Sequence, residues 1–321
     1  MTALLFPGQS TQRTGMGRAL FHASPEARAV LAEASRATAV DVPDLLRRGP
    51  SARLRRTEYA QIAVTTVNLA ALAALKARRI PYDIVAGHSV GALAALAAAG
   101  ALSPERALRL AARRGALMGA VPEAGAMAAV TGLAPAEVDA VVRRVAARTG
   151  RPVVTGLVNA ADRTVVSGAE QAVGEAVGAL LAAGARSAVR LEVSHAFHSP
   201  LMAAAAPAWT RTVAELPLRE ARVPVVADTT GRPLTDPEDL RAYLVDQLTG
   251  PVRWDLVGRS LADAGVTEAV ETGDSKVLRS FGRDHPAVRI TSMAQPHVLA
   301  RLRADGPPAA RQVAVAVGSA S

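Results

Sequence analysis

Apolar positions along this chain follow two rhythms, and their alternation already predicts a fold. Short apolar runs at 3–6, 84–86, 223–226, 268–270 and 288–290 read as buried strands. Between them, apolar residues three and four apart predict helices over 25–38, 59–77, 92–99, 104–118, 238–247 and 254–264. An Arg-rich segment joins the first two of these helices. Ser103-Pro104-Glu105 supplies a cap and a first-turn proline for one helix, and Gly100 a stop for the helix before it. Largely apolar strands that alternate with helices, in a chain dominated by Ala, Leu and Val, predict a parallel sheet covered by helices.

From 125 to 193 the rhythm changes. Strands are predicted over 127–131, 153–158, 164–167 and 187–193, with helices over 135–148 and 170–183. The order β-α-β-β-α-β is the ferredoxin-like arrangement. The expected organisation is therefore a large subdomain of 1–124 and 195–304, interrupted by a small ferredoxin-like subdomain over 125–194. The Ala-, Gly- and Pro-rich stretch 305–321 is expected to fray. A length of 321 residues is ample for one large core or two.

Composition narrows the functional classes. There is no cysteine, which excludes disulfides, thiolate metal sites and a cysteine nucleophile. The first seven residues lack the basic region and long apolar core of a signal peptide. The uncharged run 84–104 is long enough to span a bilayer, but it is Ala-rich, holds His88 and three glycines, and changes period midway. It reads better as a buried strand, turn and helix, and a cytoplasmic protein with no membrane contact is expected. The formal charge of +9 is almost all arginine, since Lys76 and Lys276 are the only lysines. Only 3% of residues are aromatic, so stacking on nucleic acid is poorly supported, and an acidic partner or acidic substrate fits the charge better.

The candidate chemistry centres on Gly87-His88-Ser89-Val90-Gly91, between a predicted strand and a predicted helix. Gly-x-Ser-x-Gly in that setting is a nucleophile elbow, so the large subdomain is expected to be an α/β-hydrolase-like core with a parallel sheet. The turn is too tight for side chains at Gly87 and Gly91, and it leaves Ser89 exposed near a helix N-terminus that favours a developing anion. A serine needs a base, normally histidine. Among the six histidines, His88 adjoins Ser89 but should point away from it, and His22 lies in an early helix. Two sources of the base remain open: His195 or His198 after a predicted strand, and the late His285 (beside Asp284) or His297. The loop Pro7-Gly8-Gln9-Ser10 follows the first strand and so lies at the carboxyl edge of the sheet, where sites of such folds gather.

Five blocks occur in order: Phe6-Pro-Gly-Gln9, Gly87-His-Ser-Val-Gly91, Arg114-Gly-Ala-Leu-Met118, Ser194-His-Ala-Phe-His198 and Gln247-Leu-Thr-Gly-Pro-Val-Arg-Trp254. Together they resemble the malonyl-CoA:acyl carrier protein transacylases and the acyltransferase domains of polyketide synthases, over residues 3–303. The resemblance implies an acyltransferase of fatty acid or polyketide synthesis in which Ser89 carries the acyl group as an ester and His198 is the acid and base of a Ser-His dyad. It implies a backbone carbonyl at Gln247 as the acceptor that orients His198, and N–H donors from Gln9 and Val90 for the oxyanion. His88 would have a structural or oxyanion-supporting role. Arg114 would grip the free carboxylate of a malonyl group with its fork of donors, and Phe197 would leave little room for an extra methyl. No metal or redox cofactor is implied. The implied substrates are malonyl-CoA and an acidic, phosphopantetheine-bearing acyl carrier protein, and the expected state is a monomer.

Three departures accompany the resemblance. Ser10 and Thr11 stand where the family usually has Gly and Ser, Ala92 where many relatives carry Glu, and Gly273-Asp274-Ser275 where Gly-Pro-Gly is commoner. Some relatives move other acyl groups, so a different acyl donor is the nearest alternative. A serine hydrolase or thioesterase using a late histidine is a second, and a carrier-protein binding module without catalysis is a third.

Overall fold

The computed structural model describes residues 1–295 other than Pro50 and Ser194, together with Val298. The expectation for 305–321 concerns residues outside that set. Among the described residues, eleven strands form two sheets: β1 (Thr2–Phe6), β2 (Ile84–Gly87), β3 (Gly125–Thr131), β4 (Val153–Ala160), β5 (Arg163–Ala169), β6 (Ser187–Arg190), β7 (Val225–Val226), β8 (Pro233–Leu234), β9 (Val252–Arg253), β10 (Glu268–Glu271) and β11 (Arg289–Ser292).

The larger sheet has the order β11-β10-β1-β2-β7-β8. Its first five strands are parallel, and β8 closes the edge antiparallel to β7. All four residues of β2 are buried, and the helix Gly91–Ala98 that follows it is buried at every position. Its alanines are the reason: a helix without bulky side chains can lie directly on a sheet while other helices cover it. The uncharged run is therefore core from Ile84 to Leu102 apart from the half-buried Gly100, and it surfaces at Ser103 and Pro104. Among the described residues one helix, Thr57–Ala77, is long and apolar enough to cross a membrane, and it too is packed inside the protein. Because the sheet is parallel, the turns after β1, β2, β7 and β10 all leave its carboxyl edge together.

The smaller sheet has the order β6-β3-β5-β4-β9. Its first four strands pair antiparallel in the ferredoxin-like order, and the helices Pro135–Thr149 and Glu170–Ala182 cover one face. The pleat of β3 sorts its residues: Ala126, Ala128 and Val130 join a core with Val138, Val142, Val173 and Leu180. Met127, Ala129 and Thr131, one residue out of step, line the cavity between the two sheets. The fifth strand, β9, comes from beyond residue 194 and pairs parallel with β4, so the large subdomain contributes an edge to the small sheet.

Three local differences from the sequence expectation have physical causes. The Arg-rich segment holds two short helices, Val42–Arg48 and Ser51–Arg55; Asp41 caps the first through Asp44 N at 2.9 Å, with Pro43 in the opening turn. The strand expected over 223–226 shrinks to Val225–Val226, since Pro224 has no N–H and offers only its carbonyl, to Val85 N at 3.0 Å. The strand expected over 187–193 ends at Arg190, after which Leu191 and Val193 line the cavity.

Candidate active site

The turn after β2 is an elbow whose geometry explains both glycines. A Cβ on Gly87 would lie 2.2 Å from the Gly91 carbonyl carbon, and one on Gly91 would lie 2.1 Å from Phe6 O. Neither contact can be relieved without moving main chain. Between them Ser89 takes a left-handed conformation, φ 51°, a strained state that persists only where its surroundings enforce it. Its N–H donates to Asp228 Oδ2 at 2.6 Å, which anchors the strained residue. Val90, which follows, caps the buried helix.

Ser89 Oγ lies 2.7 Å from His198 Nε2. The other ring nitrogen, Nδ1, lies 3.1 Å from Gly250 O. A carbonyl can only accept, so Nδ1 carries the proton, and Nε2 of the neutral ring is free to accept from the serine. The orienting hydrogen bond thus runs to Gly250, three residues beyond the Gln247 carbonyl expected from the sequence. The chain past the helix Pro237–Asp246 still turns, which brings several carbonyls toward the ring, and Gln247 O adds a lesser stabilisation of the charged form. Burial, with the Arg114 charge second, pushes His198 down to about 3, so the imidazole is neutral at neutral pH. Such a pair can act as base and nucleophile, and among the described residues no carboxylate stands behind the ring.

The loop after β1 lies against the elbow. A Cβ on Gly8 would be 2.5 Å from His88 O, so glycine is required for this approach. Asn68 Nδ2 holds the loop through Pro7 O at 2.9 Å. Among the described residues, no acceptor engages the N–H of Gln9 or of Val90. Two unengaged donors flanking a nucleophile form an arrangement that can stabilise an oxyanion.

Arg114 lines the same cavity and is 1% exposed, whereas its neighbour Arg113 faces solvent. Its Nη1 donates to Gln61 Oε1 at 3.1 Å and its Nη2 approaches Gln247 Oε1 at 3.4 Å; its buried Nε has no partner. Among the described residues no carboxylate stands within ion-pair distance of it. Burial lowers the guanidinium to about 10, so it remains charged at neutral pH, and a buried cation without a direct anion is costly. The network continues: Gln61 Nε2 donates to Thr57 Oγ1 at 3.1 Å, and Thr57 Oγ1 donates to Gln9 Oε1 at 2.9 Å. Arg114 and the loop after β1 are thereby joined through one helix.

These groups face a cavity of about 290 Å³ between the two sheets, whose further walls include Met127, Leu157, Val165, Phe197 and Phe281. Phe197 is buried there, and its carbonyl accepts from Ser167 Oγ at 2.6 Å. His88 Nε2 meets Asn159 Oδ1 at 2.9 Å, and burial holds its pKa down against that hydrogen bond. The remaining histidines among the described residues stand apart from Ser89. His195 Nε2 lies 3.2 Å from Val121 O, His22 is exposed, and His285 borders a separate small cavity against Gly258. Asp284 accepts from Ala161 N instead of from His285. His297 lies outside the described residues.

Sequence reasoning missed Asp228, Tyr243, Gln61 and Thr57. Thr57 and Gln61, four apart at the start of an apolar helix, form a polar ladder that could have marked a buried network. Asp228 follows Val225-Val226-Ala227 at the carboxyl edge of the sheet, the same placement that singled out Gln9 and Ser89.

The acyl transferase domain family matches residues 3–303, and this chain belongs to it. Within it, the chain groups with the malonyl-CoA–acyl carrier protein transacylases. It is 36% identical over 278 residues to the malonyl CoA-acyl carrier protein transacylase of Bacillus subtilis (strain 168), covering 86% of this chain and 87% of that one. The transacylase structure from Coxiella burnetii superposes with a TM-score of 0.89 at 31% identity, covering 94% of this chain and 96% of that one. A malonyl-transacylase solved in complex with its type II PKS acyl-carrier protein gives a TM-score of 0.90 at 30% identity, covering 94% and 98%.

Proposed function

We propose that this acyltransferase moves a malonyl group from malonyl-CoA to the phosphopantetheine thiol of an acyl carrier protein, through an ester on Ser89. The observation that carries the reading is the shared cavity: a serine with its base stands beside a buried guanidinium that, among the described residues, has no carboxylate within ion-pair distance. An acyl group bearing its own carboxylate supplies the missing anion, and Arg114 can hold it through a fork of donors.

The steps follow from the geometry. His198 Nε2 takes the Ser89 hydroxyl proton as Oγ attacks the thioester carbonyl. Charge on the carbonyl oxygen is met by the N–H groups of Gln9 and Val90. The intermediate collapses by breaking the C–S bond, and the imidazolium gives its proton to the departing sulfur of coenzyme A. In the second half, His198 takes the proton of the carrier's thiol, the sulfur attacks the ester, and the Ser89 oxygen leaves with the proton from His198. Apolar walls keep water sparse, which preserves the ester until a thiol arrives. Phe197 narrows the acyl pocket; excluding one methyl is worth ~1–3 kcal/mol. The carrier-bound relative and the net charge of +9 support an acidic carrier protein as acceptor.

Intact-protein mass tests the proposal. Mixing with malonyl-CoA should add one malonyl unit, which transfers to a holo carrier protein on its addition. An adduct that persists in Ser89→Ala would overturn the serine ester. Release of free malonate in place of a retained adduct would make the protein a thioesterase.

A further inference from the structure

One buried acid is left unused by the mechanism above. Asp228 is 0% exposed at the carboxyl end of β7, and every group around it donates. Ser89 N–H reaches Oδ2 at 2.6 Å; Gln247 Nε2 and Tyr243 Oη reach Oδ1 at 2.8 and 2.7 Å. Tyr243 Oη in turn receives Gln247 Nε2 at 3.0 Å and Asp228 N at 3.4 Å, so its own proton is turned toward the acid. Backbone N–H and amide NH2 cannot accept, and a carboxyl proton would face a donor on either oxygen. The donors favour a carboxylate and work against the burial that raises Asp228 above the ordinary carboxylate value.

Gln247 links this carboxylate to the guanidinium. Its Oε1 faces Arg114 Nη2 at 3.4 Å while its Nε2 donates to Asp228 Oδ1. The amide can be oriented only this way, because a flip would set NH2 against the guanidinium and the carbonyl against the carboxylate. Cation and anion thus sit one side-chain amide apart in a region closed to water, where charges interact across several ångströms.

We infer that Asp228, acting through Gln247, is a specificity-determining residue: it partly neutralises Arg114 from inside the protein and so softens the site's demand for a free carboxylate on the acyl group. Resting as it does on the malonyl reading, the inference adds a second anion to the site. A malonyl carboxylate must share Arg114 with Asp228, whereas a neutral acyl group meets a cation already partly compensated. The acid also holds the elbow through Ser89 N–H, so loss of activity alone would not distinguish the two roles. The ratio between a charged and a neutral acyl group does, since a purely structural fault lowers both together.

The full chain and its Asp228→Asn variant would be compared for the rate of Ser89 acylation by malonyl-CoA and by acetyl-CoA, read by intact mass over a range of donor concentrations. The Asn variant removes the charge at nearly constant volume. Its malonyl-to-acetyl ratio of kcat/KM should rise about tenfold, and by at least roughly threefold, chiefly through a lower KM for malonyl-CoA. Asp228→Ser, which removes the charge and adds no bulk, should move the ratio the same way. Tyr243→Phe keeps the charge and deletes one hydrogen bond to it, and should leave the ratio within about twofold. A ratio that fails to rise in both Asp228 variants, or that rises as much in Tyr243→Phe, overturns the inference. If the unaltered protein gains no malonyl adduct, the malonyl reading fails first and takes this inference with it; loading with an unmoved ratio sinks this inference alone.

Discussion

Gln61 Oε1 holds Arg114 Nη1 at 3.1 Å across the contact between two helices, Thr57–Ala77 and Pro104–Gly119. The contact orients the guanidinium without neutralising it, since an amide oxygen satisfies a donor and leaves the charge. On the proposed function, an incoming carboxylate would find a cation already aimed and already desolvated. Removing Arg114 should cost malonyl transfer two charge-assisted hydrogen bonds, each worth about 1.5–3 kcal/mol. In Arg114→Ala the acylation rate with malonyl-CoA should fall about a hundredfold or more. The rate with acetyl-CoA should change less than about tenfold. Equal losses on both donors would show that Arg114 does not read the carboxylate.

His198 makes a prediction about pH. Burial and the Arg114 charge push it to about 3, well under the ordinary imidazole value of about 6.5. Only the neutral ring can take the Ser89 proton. Acylation should therefore stay level from about pH 8 down to about pH 5, without the inflection near 6.5 that an exposed imidazole would give. Stability carries the opposite sign. The unfolded chain binds this proton near 6.5 and the folded chain only near 3, so the residue lowers stability progressively as pH falls between those values. His198→Gln should flatten that part of a pH–melting curve and slow acylation by about 10²–10⁴-fold.

The elbow was legible in the sequence because sterics leave so few residues that fit. Gly87 and Gly91 have main chain where a Cβ would be, and the pattern records that crowding directly. The layered fold was legible for a similar reason, since apolar strands alternating with helices have few other ways to bury themselves. Arg114 is different. Nothing local separates it from the exposed Arg113, and only the resemblance to a family marked it out. Asp228 and Gln61 left only faint traces, a place at the sheet's carboxyl edge and a four-residue spacing from Thr57, because a polar residue in an apolar run gains its meaning from partners remote in sequence. The shift from the Gln247 carbonyl to that of Gly250 belongs here too: which carbonyl meets a ring depends on a loop conformation that no residue pattern encodes.

Gly115 sets the helix contact on which Arg114 depends. A Cβ there would lie 2.8 Å from Glu58 Cα and 3.0 Å from Thr57 O, both main-chain atoms. Gly115→Ala must push the helices apart, at about 1–3 kcal/mol, and lower the melting temperature by roughly 2–10 °C. Because Thr57 and Gln61 lie at that contact, the KM for malonyl-CoA should rise with it. Gly174, in the helix Glu170–Ala182, has nothing within 4 Å of its Cβ position. Gly174→Ala should accordingly raise stability by up to ~1 kcal/mol and leave acylation untouched. Identical melting behaviour of the two variants would refute the packing account.

The surplus of positive charge gives a prediction that separates the acceptor from the chemistry. Exposed arginines would attract an acidic carrier over distances that salt screens, the Debye length falling to about 10 Å at 0.1 M. Their local ion pairs, such as Arg109 with Glu105 and Arg143 with Asp139, are exposed and contribute little to stability. Excess charge of this kind acts mainly on encounter. Starting from the purified acyl-enzyme, transfer to an acidic holo carrier protein should slow about tenfold between roughly 0.05 and 0.5 M salt. Transfer to free pantetheine, which is uncharged and meets the same Ser89 ester, should change less than about twofold. The comparison isolates docking because both acceptors offer the same thiol. Equal salt dependence for the two would mean that the basic surface plays no part in choosing the carrier.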